Sequence, residues 1–425
     1  AAFAAGIAQK RNSISDAALA VEGPACARSK MERICRHHDL QSTLYSADGK
    51  HRMATTDRGP ARVMGSLDAI RDICRNMLKE LDPAALFLLP FAPQQAMGMD
   101  LDSVARELAG STSASIMPLQ SRSLEGDWLD GWAEVFTAVA GLVDAPAVKS
   151  AGSVSIVGHM HTRNEGDDLG NAAEVTRLVE GLGLEAAGIW ASGGPLQQYL
   201  DACSGDVVVA LPHAAGIAEW VADKTGAKLV EAPFPLGITG TTDFIRTVGE
   251  ATGRGDEAEI LATAETARCT AQLDNLVSLL ADEISVAVLA DPVLAPALHR
   301  AFGEIGIDVP LTGVLSAHTL PDDVLALTGR TMADPSFVGW AEALGEVAAE
   351  GVQVVVGCGL TEVAAHQAQQ EVVEVGYPCH NTHFLTPAPY LGFSGFLRLV
   401  ERLANAHCGG VAKRRLDASA RQGTQ

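Results

Sequence analysis

Short apolar, β-branched runs alternate with helical patterns along most of this chain, and that alternation leaves few folds open. Val154–Val157, Ala187–Trp190, Val207–Leu211 and Leu229–Ala232 read as buried strands, as do Ser285–Leu289, Val309–Leu315, Val352–Val356 and Val372–Val375. Ala84–Leu89, entered through Pro83, and Ala114–Leu119 form an earlier pair. Helical patterns separate them: Leu67–Leu81, Leu101–Leu108, Trp128–Val143, Asn171–Gly183, Ile217–Lys224 ended by Gly226, and the long stretch Glu257–Leu280. Asp291-Pro292 caps a further helix that ends near Gly306. This βαβ repetition predicts an α/β fold of three Rossmann-like domains, each a parallel sheet flanked by helices. The expected domains are 1–147, 148–273 and 274–425, with APAVKSAGS (145–153) as the first break.

Composition narrows the partners. The chain carries 52 acidic and 31 basic residues, a formal charge of −21. Such a surface is repelled by nucleic-acid phosphates and by anionic membranes, so neither is an expected partner. No apolar run approaches the roughly 18–20 residues of a membrane span. The opening AAFAAGIAQKRNSISD places its charges after the apolar residues, the reverse of a secretory signal, so a cytoplasmic location is expected. Eight cysteines occur without a CxxC pair and read as free thiols or metal ligands rather than disulfides. Cys203, Cys269 and Cys358 lie in apolar patterns and are expected to pack. There is no GxxxxGK[ST], and the glycines of GLGLEAAG do not open a helix after a strand, so no nucleotide fingerprint is present.

Four stretches carry chemistry. The loop after Val372–Val375 holds Cys379, His380 and His383, followed by a Pro-Tyr-Leu-Gly-Phe turn and an amphipathic helix. Loops at the carboxyl ends of buried parallel strands are where such sheets place ligands. In PFPLGITGTTDFI (233–245), Thr241 or Thr242 is the expected N-cap, with amides free for an anion. VGHMHTRNEGDD (157–168) has His159 and His161 two apart, but spacing fixes no third ligand, and it reads as a polar loop. Residues 26–53 are dense in ligand types, Cys26, Cys35, His37, His38, Asp39, Asp48 and His51, yet fit neither a zinc-ribbon nor a ferredoxin spacing. Lys30–Arg36 within them reads as a solvated helix.

VEVGYPCHNTHFLTPAPYLGFSGFLRLVERLAN (373–405) resembles the C-terminal motif of the nitrogenase component 1 superfamily. PFPLGITGTTDFIRTVGEATG, ISVAVLADPVLAPALHRAFGEIG, and MGMDLDSVARELAG with SLEGDWLDGW are similar to other segments of that family, in order. The resemblance spans about residues 65–405. It implies three Rossmann-like domains and an α2β2 complex with a homologous α-type chain. It also implies an iron–sulfur cluster (4Fe-4S or larger) shared with that partner, an iron–sulfur or iron–molybdenum cofactor in the partner, and electrons from an ATP-dependent iron–sulfur reductase. VVALPHAAG (207–215) has no cysteine where an α-type chain binds its cofactor, which favours a β-type chain. Cys26 matches the first cluster cysteine, whereas Lys50 and Pro93 stand near the other two positions. A protonated ammonium cannot ligate iron, so Asp48, or Cys35 after a register change, is the expected substitute. The resemblance therefore implies Cys26 and Asp48 as cofactor-binding residues, Cys26 and Cys35 as metal ligands, and His383 and His380 as catalytic residues. It implies a nitrogenase-like oxidoreductase subunit, with methylthio-alkane reductase as one candidate. The alternatives are a scaffold subunit for iron–molybdenum cofactor assembly and a non-catalytic structural subunit.

Overall fold

A computed structural model describes residues 2–56, 67–122, 125–146, 149–190, 192–280, 283–333 and 337–422. Residues 147–148 of the expected first boundary, and Ser123-Leu124 of one family-like segment, lie outside the described residues. The chain forms two compact units, 1–169 with 184–231, and 170–183 with 232–425.

The first unit runs α1 (Ala2–Asn12), β1 (Ala17–Glu22), α2 (Ala25–His38), β2 (Met53–Thr55), α3 (Leu67–Leu81), β3 (Ala85–Pro90), α4 (Ala92–Ala96), α5 (Leu101–Ala109), β4 (Ser115–Pro118) and α6 (Trp128–Ala140). It continues with β5 (Ser150–Val157), the first residues of α7 (Gly166–Glu180), β6 (Glu185–Ile189), α8 (Leu196–Asp201), β7 (Gly205–Ala210), α9 (Ala215–Thr225) and β8 (Lys228–Glu231). The second unit holds the rest of α7, then α10 (Gly237–Thr252), α11 (Gly255–Leu280), β9 (Ser285–Ala290), α12 (Leu294–Glu304), β10 (Asp308–Val314), α13 (Asp322–Leu325), β11 (Arg330–Ala333), α14 (Phe337–Ala349), β12 (Val354–Gly357), α15 (Glu362–Gln367), β13 (Glu371–Glu374) and α16 (Gly392–Gln422).

There are three sheets among the described residues, in the orders β2-β1-β3-β4, β6-β5-β7-β8 and β11-β10-β9-β12-β13, and every strand pair is parallel. This is the α/β architecture expected from the sequence. In each sheet the first strand of its group lies inside, so the chain winds to one side and then to the other. β1, β3 and most of β9 are buried residue by residue, as parallel strands covered on both faces must be. No helix among the described residues is long and apolar enough to cross a membrane.

Three local readings change. β1 and α1 were not anticipated. α2 is longer than the predicted Lys30–Arg36 and is not solvated on one face: Ala27, Met31, Cys35 and His38 recur every three or four residues and are buried. α10 begins at Gly237, so Thr241 lies inside the helix, where its hydroxyl donates to Gly237 O at 2.6 Å. The helix start is capped by Glu304, whose Oε2 accepts from the amides of Ile238 (2.8 Å) and Thr239 (3.1 Å). The chain's own carboxylate thus takes the place of an external anion.

α1 reaches the core by crossing α6 at two glycines. A Cβ on Gly6 would run into the Trp128 carbonyl, and one on Gly131 into the Phe3 carbonyl. That close approach buries Phe3, Ile7, Trp132, Val135 and Phe136 together. Gly131→Ala should therefore cost about 1–3 kcal/mol by overpacking. Gly216→Ala, on α9 with nothing within 4 Å of the added Cβ, should be neutral or slightly stabilising. Urea denaturation of both variants checks the contrast; equal effects would remove the role given to the α1–α6 crossing.

Candidate functional site

At the carboxyl edge of the first sheet, β1 ends in Glu22 and Gly23-Pro24 turns the chain into α2. Cys26 therefore stands exposed in the first turn of α2. The loop after β3 touches the turn before it: Phe91 N donates to Glu22 O at 2.9 Å, and a Cβ on Gly23 would meet Phe91 Cβ at 2.8 Å. Cys35 is nine residues further along the same helix, which is half a turn out of phase and about 13 Å along the axis. It is buried against the core with Met31, and burial pushes its thiol up to about 12. Cys26 and Cys35 therefore do not converge on one ion, and Cys35 is a packing residue.

Asp48 lies at the tip of a hairpin closed by the Tyr45–His51 bridge and Ser46 N donating to Lys50 O at 2.8 Å. Its carboxylate accepts from Ser46 Oγ and pairs with Lys50 at 3.2 Å; these two groups lower its pKa, the Ser46 hydroxyl first. Lys50 also pairs with Glu80 at 3.2 Å. Asp48 is exposed and engaged inside its own turn, rather than held out as a ligand.

In the second unit, the loop after β13 is fastened by a buried carboxylate. Glu374 accepts from His380 N at 2.9 Å and from Asn381 N at 3.0 Å, and its own carbonyl accepts from Arg402 at 2.7 Å. His380 and His383 are half-buried on this loop. Cys379 is fully buried with Sγ 3.1 Å from Gly376 O, so the loop offers imidazoles to its surroundings but not this thiol. The Pro-Tyr-Leu-Gly-Phe turn is held by Asn171, whose Oδ1 accepts from the amides of Tyr390 (2.8 Å) and Leu391 (3.0 Å). Glu174 Oε1 accepts from Ser394 N at 3.2 Å at the start of α16.

The densest ionisable cluster was not singled out as a site by the sequence. The stretch 157–168 after β5 is a buried layer, not a solvated polar loop: His159, His161, Thr162, Arg163, Glu165, Asp167 and Asp168 are each at most 5 % exposed. Arg163 holds Asp167 through Nε at 2.9 Å to both carboxylate oxygens, and its Nη1 donates to His38 O at 3.2 Å. Asp168 Oδ2 accepts from Thr162 N, Thr162 Oγ1 and Arg163 N at 2.5, 2.7 and 2.8 Å. Residues 9–13, at the end of α1 and just beyond it, cover the layer, and Gln9 Nε2 donates to His161 O at 2.9 Å. Desolvation raises the pKa of Asp167 and Asp168 and lowers those of Lys10, His159 and His161. The alternating histidines of HMH were the available signal; without knowledge of α1 and α2 their burial could not be read.

Comparison with known proteins gives one consistent result. The sequence matches the family described as nitrogenase component 1 type oxidoreductase over residues 6–408. It is 26% identical over 200 residues to the nitrogenase molybdenum-iron protein beta chain of Frankia alni, an alignment covering 44% of this chain and 36% of that one. The aligned stretch thus spans about a third of that relative. Two solved structures share the fold. Nitrogenase Cp1 at pH 6.5 has a TM-score of 0.79 and 16% identity over 96% of this chain and 92% of its own. Nitrogenase Cp1 at pH 5 has a TM-score of 0.74 and 15% identity over 95% and 87%.

The buried layer sets a pH dependence. His161 is lowered from 6.5 to about 4, first by burial and then by the field of Lys10, with Asn164 and Asp167 opposing. The unfolded chain takes up this proton below about 6.5, and the folded chain does not until about 4. This contribution to stability is therefore full above 6.5 and is lost as pH falls toward 4. The raised carboxyls Asp39, Asp167 and Asp168 act in the opposite sense in both proteins compared. His161→Asn should remove a few kcal/mol of the acid-side loss. Urea unfolding at pH 7 and pH 4 tests it; parallel losses in the variant and the parent would refute the assignment.

Proposed function

The chain belongs to the family of nitrogenase component 1 type oxidoreductases, and on that premise we propose that it is the β-type subunit of a nitrogenase-like iron–sulfur oxidoreductase complex. In this reading it pairs with a homologous α-type chain in a cytoplasmic α2β2 assembly and receives electrons from an ATP-dependent reductase. The observation that carries it is the family match across residues 6–408 together with Cys26, an exposed thiol at the carboxyl end of β1. The relative matched over 200 residues is itself a beta chain, which supports the β-type assignment.

The residues present do not fit an iron–sulfur cluster held by this chain's own thiolates. A cubane needs about four thiolate ligands. Cys26 is one; Lys50 is tied to Asp48 and Glu80, Pro93 sits in α4, and Cys35 and Cys74 lie in the core. Cys408, the other exposed thiol, lies far along α16 in the second unit, so at the first sheet's edge this chain offers one thiol, Cys26, and in this reading the partner supplies most of the cluster ligands. His380 and His383 supply a polar wall whose position is set by Glu374.

The shortage of thiols also favours a second reading, a scaffold subunit for iron–molybdenum cofactor assembly. Iron and molybdenum counts on the two-chain complex, with assays of reductase-dependent turnover and of cofactor transfer to an acceptor, separate the two. Turnover supports the subunit of an oxidoreductase; transfer without turnover supports the scaffold; absence of iron in the complex sinks both.

Cys26→Ala should lower the iron content of the purified complex and the corresponding EPR signal. Unchanged iron would make Cys26 a surface residue only. His383→Ala should reduce turnover about tenfold or more, the usual scale for loss of one proton-handling side chain, with the complex still assembled. Loss of assembly with unaltered specific activity in the remainder would make the loop structural.

A further inference from the structure

In the second sheet the switch point lies between β5 and β7, and the loops leaving their carboxyl ends part there. Open parallel sheets bind ligands in this crevice. Here it is lined by side chains that lack partners within the chain. Lys10 Nζ is buried, 4.4 Å from the ring centroid of Phe136 and 4.6 Å from that of Trp132, with no hydrogen bond. His159 is 2 % exposed; neither ring nitrogen meets hydrogen-bond geometry, although the Asp168 backbone lies near enough to favour its charged form. His161 is fully buried, its ring centroid 6.3 Å from that of His159.

The tautomer of His161 follows from its neighbours. Asn164 Nδ2 donates to Asp39 Oδ2 at 2.9 Å, so Asn164 Oδ1 is what faces His161 Nε2 at 3.4 Å. That nitrogen carries the proton, and unpartnered Nδ1 presents a lone pair.

The charge balance then selects the guest. Asp168 is the carboxylate whose field reaches Lys10, but its Oδ2 already accepts from three donors. Asp167 is held by Arg163. The donors left over are the Lys10 amine and the Trp132 indole N–H, with one N–H of His159; the acceptors left over, Gln9 Oε1 and ring nitrogens of His161 and His159, are neutral, so none of them compensates a charge on Lys10. A cation would meet Lys10, and water would satisfy hydrogen bonds without compensating charge. We infer that this crevice is a binding site for one small oxyanion, with Lys10 as its counter-ion and His159 as a hydrogen-bond donor, closed over by α1.

The site goes beyond the redox reading and does not depend on it. Besides Lys10 and His159, the titratable groups around it are His161 on the same loop, Asp167 and Asp168 at the start of α7, and His213 after β7. Burial holds Lys10 well below its ordinary value. Without a guest the amine is driven toward neutrality, so anion binding takes up a proton.

The test is calorimetric titration of the full chain, with whatever partner co-purifies, using sodium sulfate and sodium formate at neutral pH in Tris and in Hepes. At least one of the two anions should bind with net proton uptake, seen as a heat that differs between the buffers. Lys10→Met should abolish that difference and weaken binding at least about tenfold. His159→Asn should weaken binding while keeping the proton uptake, and it serves alone if the Lys10 variant does not fold. No binding of either anion, or binding that every folded variant leaves unchanged, overturns the proposal.

Discussion

A parallel sheet covered on both faces has only its strand ends to offer, and this constraint arranges everything chemical in the protein. Each carboxyl edge gathers the loops that cannot be apolar: Cys26 after β1, His159 and His161 after β5, His380 and His383 after β13. Polar backbone at such an edge must find partners or remain wet. In the second unit, one buried carboxylate, one exposed carboxylate and one amide do that work. Glu374 ties down the loop after β13, Glu304 closes the start of α10, and Asn171 secures the turn before α16. These fixed points hold the polar loops against the elements that carry them.

The strands of the second and third sheets were legible because β-branched runs such as Val207–Ala210 and Val354–Val356 have one physical use. The first sheet was harder. β1 reads Ala-Ala-Leu-Ala-Val-Glu, where four small or unbranched residues suit helix as well as strand, and only pairing with β2 and β3 decides it. α1 combines apolar residues with Gln9, Lys10, Arg11 and Asn12, a composition that ordinarily ends in solvent. It is buried because two glycines let it lie against α6, a long-range fact absent from any local window. The Ala27, Met31, Cys35, His38 stripe was readable, and would have marked Cys35 as core rather than as a ligand.

The edge of the first sheet around Cys26 has no gap among the described residues. Lys50 is engaged by Asp48 and Glu80, and Phe91 closes on Gly23, so the edge is a finished surface with Cys26 on it. Fold and site have separate determinants: apolar runs between helices fix the first, and a few loop positions fix the second.

The burial of α1 also bears on how the protein is handled. A helix whose Phe3 and Ile7 lie in the core and whose Gln9 bonds to the β5 loop is an integral part of the first unit. Removing it, or replacing Phe3 or Ile7 by polar residues, alters the interior of the molecule rather than its periphery. Variants intended to report on native behaviour should leave this helix whole.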